Sequence, residues 1–174
     1  SYSTVFYCLV GNPSITTDQS NAVATYSGLR AVYGFGGYPG ALVTTDLTGN
    51  GRNGSIVGTV TAANSWFGAG ASFPGGSYIN CGSDFEFPAG ISGRIGPHTL
   101  ECWFKFTGSF SANYPVLFHR QSTSGGPRGF SIYVDPDWGG APHKIVWNRA
   151  DGGYHFSNGA TTIVPGTWYH LLYT

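Results

Sequence analysis

The apolar positions of this chain come in short bursts. Runs rich in β-branched and aromatic residues recur at Tyr2 to Val10, Leu29 to Phe35, Ser55 to Val60, Ala69 to Phe73, Tyr78 to Cys81 and Thr99 to Phe106. Others follow at Val116 to Gln121, Phe130 to Asp135, Lys144 to Asn148, Ala160 to Val164 and Thr167 to Tyr173. Between them lie Gly-Gly-Tyr-Pro-Gly, Ser-Gly-Gly-Pro, Asp-Gly-Gly, Asn-Gly and Pro-Gly, breakers that leave little room for a helix. No window carries an apolar stripe at helical spacing, so the pattern predicts an all-β fold of short antiparallel strands, a sandwich or barrel. Thr99 to Phe106 is the clearest case. Strand alternation sends Leu100, Cys102, Phe104 and Phe106 to one face and Glu101, Trp103 and Lys105 to the other. The first face is wholly apolar and is expected between two sheets. The second is amphipathic, with a large Trp between opposite charges.

Composition narrows the class further. A chain of 174 residues suits one domain with a real core. Charged residues make up 9% of it, and the aromatic share of 16% is too high for a disordered chain. Good helix formers are scarce: there is no Met, Lys occurs at Lys105 and Lys144, and Glu at Glu86 and Glu101. Eight Lys and Arg balance eight Asp and Glu with no basic run, which argues against nucleic acid and anionic membranes as partners. Val5 to Val10 is too short to span a bilayer, so no membrane insertion is expected. No charged segment precedes it, as in a chain whose leader has been removed or one made without a leader. Cys8, Cys81 and Cys102 are odd in number and allow at most one disulfide; buried free thiols are the simpler expectation.

The order of segments resembles a known family. Gly28-Leu-Arg-Ala-Val-Tyr-Gly-Phe35 is followed by Asp46-Leu-Thr-Gly-Asn-Gly-Arg-Asn-Gly54 and Gly70-Ala-Ser-Phe-Pro-Gly-Gly-Ser-Tyr-Ile79. Then come His98-Thr-Leu-Glu-Cys-Trp-Phe-Lys105 and Pro165-Gly-Thr-Trp-Tyr-His170. Together they resemble the laminin-G-like, concanavalin-A-like jelly-roll domains of secreted and viral proteins. The resemblance implies an antiparallel β-sandwich over residues 28–174, on an extracellular or virion surface. Residues 1–27 have no counterpart and read as an N-terminal strand plus polar linker, a candidate assembly segment. Such domains normally continue past Tyr173-Thr174 through further strands. The chain is therefore expected either to be a fragment or to receive a strand from elsewhere, with Tyr2 to Val10 as a candidate donor.

Three loops and clusters invite a chemical reading. Gly49-Asn-Gly-Arg-Asn-Gly54 matches a dinucleotide fingerprint literally, but the strand-like Ser-Ile-Val-Gly-Thr-Val follows it where a helix is required. Asp46, Asn50 and Asn53 could surround Ca²⁺ with oxygen ligands, or tie the turn through Asx hydrogen bonds. Asn53-Gly-Ser55 is also a glycosylation sequon. Asp135-Pro-Asp137-Trp138-Gly-Gly140 is the candidate recognition loop: Trp138 would stack on the C–H face of a sugar while Asp135 and Asp137 accept from its hydroxyls. The competing reading folds Trp138 over the core with the two Asp as turn formers. His98, His119, His143, His155 and His170 are scattered, although His143 and His155 could approach across the Asp151-Gly-Gly153 hairpin. Glu101 is followed on its face by Trp103 and Lys105, so the paired carboxylates of a glycosidase are missing.

These features predict a non-catalytic recognition or adhesion domain whose partner is a glycan or cell-surface polysaccharide. The competing class is a structural subunit, a coat, fibre or filament protein that self-assembles by pairing strand edges. A glycan hydrolase ranks last.

Overall fold

The computed structural model describes residues 21–36, 39–82, 99–108, 114–122, 128–135, 143–151 and 153–174. The described residues are all-β with antiparallel sheets, apart from one helical turn. The chain divides into two compact units, residues 1–84 and 85–174.

The first unit opens with α1 (Ala22–Thr25), a single turn capped by Asn21, whose Oδ1 accepts from the Ala24 N–H at 3.0 Å. Two small antiparallel sheets follow. β1 (Ser55–Val57) pairs with β4 (Tyr78–Asn80), and β2 (Thr61–Ser65) pairs with β3 (Gly68–Ser72). The β2–β3 hairpin turns at Trp66-Phe67, with Gly68 at φ +103°. Ser65 Oγ braces the turn by donating to the Ala69 carbonyl at 2.6 Å and accepting from the Phe67 N–H at 3.3 Å. Leu29 to Phe35, expected as a strand, makes only an isolated bridge between Phe35 and Val43. Phe35 sits at φ +59°, which breaks the extended run, and Val32 gives its N–H to the Asp46 carboxylate instead of to a neighbouring strand.

The second unit holds a two-stranded sheet, β5 (Leu100–Lys105) with β10 (Trp168–Tyr173), and a four-stranded sheet in the order β6 (Val116–Ser122), β7 (Arg128–Val134), β8 (Lys144–Asp151), β9 (Tyr154–Thr162). Its core is built on the central strands. Phe130, Ile132 and Val134 of β7 are buried on one face of the sheet, Val146 and Ala150 of β8 are buried on the other, and Ile163 just past β9 is buried too. β5 shows the predicted alternation: Leu100, Cys102 and Phe104 are partly buried, and Glu101, Trp103 and Lys105 are exposed. The inner face of the small sheet meets the large one, where Tyr173 stacks on Trp147 with ring centroids 4.8 Å apart. Beside that contact, Phe104, Ile145, Ile163, Tyr169 and Leu171 line an apolar cavity of about 220 Å³.

Candidate functional site

In the first unit, polar chemistry gathers around Asp46, whose side chain is buried. Its Oδ1 accepts from the Val32 N–H at 3.1 Å, the Thr48 N–H at 3.0 Å and the Thr48 hydroxyl at 2.8 Å. Its Oδ2 accepts from the Arg52 N–H at 3.2 Å and lies 2.8 Å from the same hydroxyl. Asn53 Oδ1 accepts from the Asp46 N–H at 3.0 Å, and Asn50 Nδ2 donates to the carbonyls of Leu29 and Arg30 at 3.0 and 3.2 Å. Gly49 and Gly51, at φ +77° and +75°, let the backbone curl tightly enough to aim these donors inward. Burial alone would raise the Asp46 pKa; the hydrogen bonds from Thr48, Val32 and Arg52 outweigh it and hold the carboxyl below its usual range.

Asp46, Asn50 and Asn53 are thus brought together on one loop. Both carboxylate oxygens face N–H and O–H groups, and Asn50 reaches away from the carboxylate to donate to the Leu29 and Arg30 carbonyls. Ca²⁺ needs oxygen ligands free to face it, so this donor set fits a loop tied by Asx hydrogen bonds and not a cation. Tyr33 completes the tie by donating its hydroxyl to the Arg52 carbonyl at 2.5 Å. Burial, with a hydrogen bond to Cys81, pushes the Tyr33 phenol well up.

In the second unit, the open face of the β5–β10 sheet carries a different assembly. Register places Trp103 opposite His170, Lys105 opposite Trp168 and Glu101 opposite Leu172. All six side chains share that face by the period of two. The His170 ring stacks on Trp103 with centroids 4.9 Å apart and planes 20° from parallel. Its Nε2 reaches diagonally to Glu101 Oε1 at 2.9 Å. Lys105 Nζ sits 5.0 Å from the centre of the Trp168 ring, a cation–π contact. Trp103 is nevertheless 42% exposed, and the Glu101 side chain 61%. The face therefore offers aromatic surface rimmed by an acceptor, a donor and an imidazole.

Of the recognition loop, Asp135 is described, and Asp137 and Trp138 lie outside the described residues. Asp135 follows directly on β7: its N–H donates to the Lys144 carbonyl at 2.8 Å, and its own carbonyl lies 3.2 Å from His143 Nδ1. His143 and His155 do not approach. The Ile163 N–H bonds the His143 carbonyl while His155 pairs with Arg149, which places the two histidines at opposite ends of the β8–β9 ladder, about 20 Å apart at strand rise. Among the described residues, no three His, Cys, Asp or Glu side chains form a metal-binding group. Cys81 and Cys102 are free thiols. Burial, reinforced by the Glu101 charge, pushes the Cys102 thiol up to about 12, well away from reactivity.

Comparison of the chain with family models, curated proteins and solved structures gives no match in any of the three. The site is therefore read from its own side chains. The sequence pattern places Trp103 between Glu101 and Lys105 on an amphipathic face but does not pair His170 with Glu101. The available signal was the period of two in Trp168, His170 and Leu172, the same alternation already visible in Glu101, Trp103 and Lys105.

Proposed function

We propose that the chain is a non-catalytic recognition domain, a β-sandwich of the laminin-G-like jelly-roll kind displayed on an extracellular or virion surface, and that it binds glycan on the open β5–β10 face. One observation carries this reading: Trp103 stacks on His170 and yet remains exposed. An indole already packed on one side loses less entropy when the apolar C–H face of a sugar covers the other. Glu101 can accept from sugar hydroxyls, and Lys105 and His170 can donate to them. Hydrolysis would require two carboxyl groups flanking the scissile bond, and Glu101 is the one carboxylate among the six side chains of this face.

Retention on a glycan array tests the assignment. Trp103→Ala is expected to lose retention by about tenfold or more while keeping the far-ultraviolet spectrum of the parent. Trp138→Ala run in parallel separates the two candidate surfaces. Loss in Trp138→Ala with full retention in Trp103→Ala moves the site to the 135–140 loop, and retention by neither parent nor variants removes the glycan reading.

A further inference from the structure

β9 is the longest strand among the described residues, and all nine of its residues are exposed. It forms one edge of the four-stranded sheet, pairing with β8 alone among the described residues. Edge strands normally guard themselves with Lys, Pro, an inward charge or an early bulge. The stretch Tyr154-His-Phe-Ser-Asn158 has no Asp, Glu, Lys, Arg or Pro, and its pairing with β8 is regular from Tyr154 to Asn158. The irregularity comes only afterwards, where Gly159 to Thr161 lie across from Ile145. On this clean edge Tyr154 and Phe156 point to the same side, their rings stacked 6.2 Å apart, 53% and 55% exposed.

We infer that this edge is a homodimer contact: two copies of the chain pair β9 to β9, antiparallel about a two-fold axis at Phe156. The occupant follows from geometry and charge. An antiparallel strand edge is its own complement, so a two-fold operation satisfies both copies with one surface. The axis sets Phe156 against Phe156, Tyr154 against Asn158 and His155 against Ser157. Aromatic cross-strand pairs of this kind stabilise a ladder, and both exposed rings become covered. The chain's eight positive and eight negative residues leave two copies without net repulsion. The bulge after Asn158 ends the regular edge and limits the contact to these five residues. This inference is independent of the glycan reading, because it uses the four-stranded sheet and not the β5–β10 face.

Sedimentation of the full chain across a broad dilution series tests it. The parent is expected to shift reversibly from 18.4 kDa to twice that mass as concentration rises. Phe156→Lys puts like charges on the axis and is expected to weaken the dimer by at least about tenfold. Phe156→Glu alone does the same, and an equimolar mixture of the two variants restores association. Circular dichroism of each variant controls for the fold. A parent that stays monomeric at every concentration overturns the inference. So does a Phe156→Lys variant that associates as the parent does, because the contact then lies elsewhere.

Discussion

Asp46 shows how a single carboxylate organises a loop that has little regular structure of its own. Four donor groups converge on it, from residues as far apart as Val32 and Arg52. Removing the acceptor leaves buried N–H groups without a partner, so Asp46→Ala is expected to cost about 2–3 kcal/mol in urea unfolding. The pH dependence has a definite sign. The folded pKa lies below that of the unfolded chain, so the stabilisation is complete above the ordinary carboxylate range near pH 4 and is lost as pH falls through the folded value. Asp46→Asn should flatten that part of the acid-denaturation profile. Because the donors already fill the site, Ca²⁺ or a chelator should leave the melting temperature unmoved; a Ca²⁺-dependent rise would show that the loop reopens around a cation. Cys102 makes a second residue-scale case. Its raised pKa and burial predict that iodoacetamide labels it only after denaturation, which peptide mapping before and after unfolding checks.

At the scale of elements, the strands that could be read in advance were those whose side chains alternate. Thr99 to Phe106 and Thr167 to Tyr173 were legible because large apolar residues recur every second position, and their pairing put Glu101, Trp103, Lys105, Trp168 and His170 on one face. β2 was not, since Thr-Ala-Ala-Asn-Ser has neither bulk nor alternation; it exists because the Ser65-braced turn clasps it to β3. The first half of β9 was hidden by Asn158-Gly159, which reads as a turn but lies inside the strand where the ladder bulges against Ile145. The functional face was half legible for a related reason: alternation shows which residues share a side, but only register shows that His170 stacks on Trp103. Gly54 offers an element-scale test. A Cβ there would collide with Ile79 Cγ2 just where the loop hands over to β1 and its partner β4. Gly54→Ala should therefore cost about 1–3 kcal/mol, and Gly54→Ala combined with Ile79→Ala, which removes the colliding Cγ2, should cost less in thermal unfolding than the sum of the two single changes.

For the whole molecule, the decisive feature is how little charge it carries. With 9% charged residues and a pI near 6.9, the surface depends on hydroxyls and amides to stay hydrated, between exposed aromatic rings that do not help. That composition suits both proposed roles, since a sugar face and a strand edge are each met by neutral surface, and neither needs a field to steer it. It also removes the repulsion that keeps most proteins apart. Near its isoelectric point the chain has no net charge to oppose β9 pairing or less ordered association. Light scattering at low salt should then be greatest close to pH 7 and fall on both sides as net charge of either sign builds up. If β9 is the dominant sticky edge, Phe156→Lys should lower that maximum much more than a Lys placed at Leu172, which adds the same charge on the open β5–β10 face. Equal suppression by both variants would mean that net charge alone, and not a particular edge, controls association.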